Sequence, residues 1–99
     1  MEKTITIVVP IIAKPESREK VKARLLAVGS QTRRESGNVF YRIHQGVSDP
    51  DRFIVYERWA DQAALDHHMA QKYLQDFLDD STPWLQTPIA GTICHELTD

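Results

Sequence analysis

An extended segment whose side chains are apolar on both faces needs cover on both faces, and this chain contains two such segments. Between Thr4 and Ile12, the side chains of Ile5, Ile7, Val9 and Ile11 project to one side and those of Val8, Pro10 and Ile12 to the other. Between Arg52 and Ala60, Phe53, Val55 and Trp59 share one side, and Ile54 and Tyr56 the other. A chain of 99 residues has material for one core, so residues 1–99 are read as a single domain. Whatever lies around these strands must therefore include a layer on each side.

The remaining pattern supplies only one of those layers. Pro15 suits a first helical turn, Glu16 and Glu19 suit its positive end, and Val21, Leu25 and Val28 recur at helical spacing. This predicts a long first helix ending near Gly37, with Gly29 inside it at a cost of roughly 1 kcal/mol relative to alanine. Asn38 to Gln45 and Arg52 to Ala60 read as a hairpin around the Gly46–Asp51 turn. Asp61 is placed to cap a second helix, where Ala64, Leu65, His68 and Met69 share a face that Tyr73, Leu74, Phe77 and Leu78 extend. After Pro83 and Pro88, Ile89 to Leu97 closes the chain as a last strand.

The order is βαββαβ, which right-handed crossovers turn into an α+β, ferredoxin-like fold: a four-stranded antiparallel sheet with helices on one face. The uncovered face exceeds what soluble monomers leave in water, which predicts a homodimer formed through the sheet face. The helix–sheet interior then stays free for a small molecule.

Composition excludes several partners. A net charge of -2, a pI near 6.0 and scattered Lys and Arg leave no basic field for nucleic acid. The apolar run from Ile5 to Ala13 is broken by Thr6 and Pro10 and is far below membrane-spanning length. With no leader-like segment recognised, the cytoplasm is the expected location. Cys94 stands alone in a β-like stretch and is read as a packed thiol. No metal site is expected: His67 and His68 lack a ligand three or four residues on, and His44 and His95 fall on strands at opposite edges. No phosphate-binding glycine loop or serine elbow is present.

Three stretches in order carry the functional signal: Glu35-Ser36-Gly37-Asn38-Val39-Phe40-Tyr41, then Asp49-Pro50-Asp51-Arg52-Phe53-Ile54-Val55-Tyr56-Glu57-Arg58-Trp59, then Ala63-Ala64-Leu65-Asp66-His67-His68. In order and spacing they resemble the antibiotic-biosynthesis-monooxygenase-like family of dimeric α+β barrels. The motif region runs from Glu35 to about Phe77, and the element order extends the resemblance over nearly the whole chain. That resemblance implies oxidation of quinol-like or polycyclic phenols without flavin or metal in some members, and haem degradation in others. Two departures point away from haem: Tyr73 stands where many relatives have a second histidine, and the first strand lacks the asparagine of haem-degrading members.

His68 follows Trp59 by nine positions, on a helix that must pack back over the strand carrying Trp59, so the two side chains are expected to meet. A neutral imidazole in a partly dry pocket can take a proton from a phenol, and the phenolate can reduce oxygen with its own electrons. His68 and Glu57, which shares Trp59's parity, are the candidate catalytic residues. Trp59, Tyr41, Phe53 and Tyr73 are the candidate substrate-binding residues, with Tyr41 aligned by parity with Val39 and Ile43 and set apart from His44. Arg58, of opposite parity, is expected in an ion pair between subunits. The competing interpretation makes His68 a fastener, bonded to Glu57 or to backbone, and Trp59 a core residue. The functional alternatives are a cofactor-independent monooxygenase, a non-catalytic ligand-binding dimer, or a small-metabolite isomerase.

Overall fold

A computed structural model of the protein describes residues 4–98. The strands are β1 (Ile5–Ile12), β2 (Asn38–Gln45), β3 (Arg52–Trp59) and β4 (Thr92–Cys94); the helices are α1 (Arg18–Thr32), α2 (Gln62–Met69) and α3 (Lys72–Ser81). Short 3-10 turns at Pro15–Ser17 and Thr82–Trp84 enter α1 and leave α3. All strand pairs are antiparallel in the order β2-β3-β1-β4, the ferredoxin-like arrangement that the element order predicts.

Register assigns the two faces. Ile7 opposes Glu57, Val9 opposes Val55, Ile11 opposes Phe53, and Tyr41 opposes Glu57 from the other side. This set faces the helices. Val21, Leu25 and Val28 of α1, with Leu74 and Phe77 of α3, pack on it as the main core. Helix α1 sits close to β2 because Gly29 has no side chain: a Cβ there would lie 2.9 Å from Ile43 Cδ1. The guanidinium of Arg33, one residue past α1, donates twice to the carbonyl of Tyr41, at 3.1 and 2.7 Å, and ties that helix end to β2. On the opposite face Val8, Phe40, Ile54, Tyr56 and Arg58 stand without a helical layer.

Four details depart from the sequence-based expectation. First, α1 stops at Thr32 rather than near Gly37; Arg33, Arg34 and Glu35 close successive turns onto Gly29, Gln31 and Thr32 carbonyls. Second, the predicted second helix is two helices. Leu65 and His68 lie on one face of α2, but six residues of helix rotate the chain about 240°, so Leu74 could not reach the same core without a break. The chain supplies one at Ala70–Gln71, where Gln71 is extended (φ -69°, ψ 133°).

Third, the last strand pairs over three residues instead of running from Ile89 to Leu97. Continuing its register would set Ala90 opposite Pro10, which has no N–H for a ladder, and would carry the far end past the start of β1. Fourth, a bulge between Asn38 and Phe40 turns Val39 outward, 53% exposed, while Tyr41 and Ile43 keep the inward parity expected of them.

Candidate functional site

Strand alternation places Glu57 and Trp59 two residues apart on the inner face of β3, both buried. Trp59 Nε1 donates to Glu57 Oε1 at 2.8 Å. Directly after the strand, the Asp61 carboxylate accepts from the Ala64 N–H at 2.9 Å and fixes the start of α2. Two turns of helix then carry His68 over the strand end. Its ring stacks on Trp59 with centroids 4.4 Å apart and planes at 33°. The expected meeting of these two side chains thus occurs, and it leaves His68 only 2% exposed.

Sequence reasoning assigned no role to the residue that holds His68. Glu35, in the turn after α1, brings Oε2 within 2.7 Å of His68 Nδ1. Its position is fixed from both sides: the Glu35 N–H donates to the Thr32 carbonyl, and the Asn38 N–H donates to the Glu35 carbonyl. Gly37 permits the close approach of this turn to α2, since a Cβ there would overlap the Cβ of Ala64 and lie 3.3 Å from its Cα. Tyr73 donates its hydroxyl to the same Glu35 oxygen and sits 3.0 Å from Thr32 Oγ1. The sequence signal for Glu35 was its place in the motif, two residues before Gly37. Where its carboxylate points depends on α1 ending early, which the apolar spacing did not reveal.

Beside this cluster a cavity of about 310 Å³ opens between sheet and helices. Its walls are largely aliphatic and aromatic: Ile7, Val9, Ile11 and Val55 from the sheet, Leu65, Leu74 and Phe77 from α2 and α3, and Ile89 with Gly91 from the C-terminal segment. The polar groups that reach it are Tyr41, Glu57 and His68. Nδ1 of His68 is taken by Glu35, whereas Nε2 has Glu57 Oε1 at 4.0 Å, beyond hydrogen-bond reach.

Burial pushes the Glu57 carboxyl above its ordinary value; the Trp59 N–H and His68 pull it partly back, and Glu35 adds to the rise. Burial also raises the Tyr41 hydroxyl well above its ordinary range, with Glu57 and Tyr73 adding to the effect and Arg33 opposing it. For Tyr73 burial leads and the Glu35 hydrogen bond follows. Both phenols are therefore neutral donors near pH 7.

Of the sequence-predicted residues, His68, Glu57 and Tyr41 line the cavity. The other three lie elsewhere. Trp59 is fully enclosed behind His68, and Phe53, six residues earlier near the start of β3, is sealed in the main core at 1% exposure. Tyr73 faces Glu35 and Thr32 instead of the cavity. Glu57 accepts from Trp59 rather than hydrogen-bonding His68, and the carboxylate bonded to the imidazole is that of Glu35. Arg58 reaches Thr6 at 3.0 Å and pairs with Glu96 in its own chain. Among the described residues no group of three or more His, Cys, Asp and Glu is placed to hold a metal ion, and no helix is long and apolar enough to cross a membrane.

A ferredoxin-like sheet with a small apolar cavity and an imidazole between two carboxylates defines the class: a small α+β protein with titratable groups at one end of an internal cavity. Residues 4–80 match the family model for antibiotic biosynthesis monooxygenases, and the chain belongs to that family. It is 29% identical over 79 residues to the candidate monooxygenase YcnE of Bacillus subtilis (strain 168), covering 80% of this chain and 83% of YcnE. The crystal structure of PA3566 from Pseudomonas aeruginosa is 28% identical and superposes with a TM-score of 0.91 over 99% of this chain and 98% of that one. The structure of a candidate antibiotic biosynthesis monooxygenase from Nitrosomonas europaea is 25% identical with a TM-score of 0.91, over 98% of this chain and 93% of that one. A monooxygenase-like role follows from this family membership.

Proposed function

We propose that the protein is a cofactor-independent monooxygenase of small aromatic or quinol-like molecules bound between sheet and helices, acting as a cytoplasmic homodimer. The observation that carries this reading is His68: its Nδ1 is occupied by Glu35 while its Nε2 is left beside an apolar cavity. A phenolic hydroxyl entering the cavity can give its proton to Nε2. The electron-rich phenolate reduces O₂ by one electron, and the resulting pair joins at a ring carbon that bears hydrogen, forming a C–O bond. His68 returns its proton to the outer oxygen. The O–O bond then breaks as the carbon loses its hydrogen, leaving a quinone and water. The substrate thus loses two hydrogens and gains one oxygen atom, and it supplies the electrons that a flavin or metal would otherwise provide. Apolar walls favour a neutral planar ring, and the neutral hydroxyl of Tyr41 is available to hold a substrate oxygen.

The uncovered sheet face supports the homodimer, since Val8, Phe40, Ile54 and Tyr56 there have no helical cover. The test of the chemistry is oxygen uptake by metal-free, flavin-free protein over a panel of one- and two-ring quinols, with His68→Ala as control. Quinone formation above that control is expected for at least one compound; none above it on any quinol rejects the reading. The aliphatic walls equally suit a binding protein without turnover. Mass spectrometry of recovered ligand separates the two, because unchanged ligand favours binding and an oxygenated product favours catalysis.

A further inference from the structure

We infer that Glu35 is a positioning residue that holds His68 in the Nδ1–H tautomer, leaving the Nε2 lone pair toward the cavity, and that Tyr73 and Thr32 hold Glu35 in turn. The consequence for catalysis rests on the quinol-oxidation reading above; the tautomer does not.

A hydroxyl has one hydrogen. Tyr73 gives its hydrogen to Glu35 Oε2, so the contact at 3.0 Å between Tyr73 and Thr32 is a donation from Thr32 Oγ1. An ionised carboxylate only accepts, so the contact of 2.7 Å with His68 Nδ1 requires a hydrogen on that nitrogen. In a neutral imidazole the other nitrogen is then bare. The ring plane is set separately by the stack on Trp59 at 4.4 Å, so two independent contacts fix tautomer and orientation.

The arrangement is costly as a fastener. Glu35 keeps 9% of its side-chain surface exposed, and its Oε1 is buried with no hydrogen-bond partner among the described residues. A buried carboxylate oxygen left bare costs stability that a neutral pair would not, which argues for a role at His68 beyond joining α1, α2 and α3. Once His68 accepts a proton at Nε2, the same carboxylate faces an imidazolium and stabilises the charge as it forms. The four residues come from the end of α1, the turn after it, α2 and the first turn of α3, so the early stop of α1 and the break after α2 are what let them converge.

The experiment is ¹⁵N NMR of histidine-labelled protein, read at a pH where His68 is neutral in the same titration. Wild type is expected to show His68 as the Nδ1–H tautomer with a slowly exchanging Hδ1, and Glu35→Ala is expected to raise the Nε2–H population at least fivefold. Tyr73→Phe keeps the ring packing, should keep Nδ1–H, and should broaden or speed exchange of Hδ1. An Nε2–H tautomer in wild type overturns the inference whether or not either variant folds, as does an unchanged tautomer ratio in folded Glu35→Ala. If the tautomer is as inferred and no quinol is oxidised, the positioning stands and the substrate reading falls. If quinols are oxidised, Glu35→Ala should lower kcat about tenfold or more with KM little changed, and Glu35→Asp should restore part of it; a change confined to KM counts against the positioning role.

Discussion

Trp59 donates its indole N–H to Glu57, two residues earlier on the same strand, so a fully buried ring serves as both stacking partner of His68 and hydrogen-bond donor within one cluster. Trp59→Phe keeps most of the surface against His68 and removes the donor. The variant should lose about 1–3 kcal/mol of stability in urea unfolding, because a buried carboxyl loses a partner. It should also titrate Glu57 higher than wild type, since the indole bond is one of the effects that pull that carboxyl down. A Glu57 titration unchanged in the variant would remove the bond from the account.

Glu57 sets the sign of a pH dependence. Its folded-state value lies above the ordinary 4.5, with burial as the main cause. The folded chain therefore holds the proton more tightly than the unfolded chain, and stability from this group is full below 4.5 and lost as pH rises through the raised value. Glu57→Gln removes that loss. Its stability relative to wild type should improve between pH 4 and pH 7 in paired urea titrations; a difference constant across that range would contradict the assignment.

Gly37 and Ala64 form a contact with no room for a methyl group. Gly37→Ala should cost about 1–3 kcal/mol by overpacking and should displace Glu35 from His68. Adding Ala64→Gly restores the missing volume, and the pair is expected to recover most of the stability. Failure of the double variant to recover would place the defect in the backbone of the turn instead.

The bare sheet face makes a prediction about assembly. Ile54 is 41% exposed at the centre of that face, between Pro10 and His44 in the register. Sedimentation velocity at micromolar concentration should give a species of two chains for wild type and one chain for Ile54→Asp. A stable single-chain species for wild type would refute the dimer.

Much of this was legible in the residues. Period-two alternation placed Glu57 and Trp59 on one face of their strand and Tyr41 with Ile43 on one face of theirs, because a strand's side chains have only two directions. The cap at Asp61 and the spacing to His68 then brought the imidazole to the indole. Three features resisted the same reasoning. The stripe from Leu65 to Phe77 looks continuous when apolar positions are simply marked, yet the rotation from His68 to Leu74 is incompatible with one straight helix. The bulge at Val39 reverses one side chain without a glycine or proline to announce it. Glu35 acquires its role from three elements distant in sequence, and tertiary convergence of that kind leaves no local period.

The stack of Trp59 on His68 has an optical consequence. An indole sealed from solvent emits at short wavelength, and a neighbouring imidazolium quenches that emission more strongly than a neutral imidazole does. The chain has two tryptophans, and the other, Trp84, lies beside Lys20 and Arg24. With Trp84→Phe as background, the intensity of the blue-shifted emission would follow the proton on His68 as it arrives and leaves, giving a signal from inside the site that needs no added label.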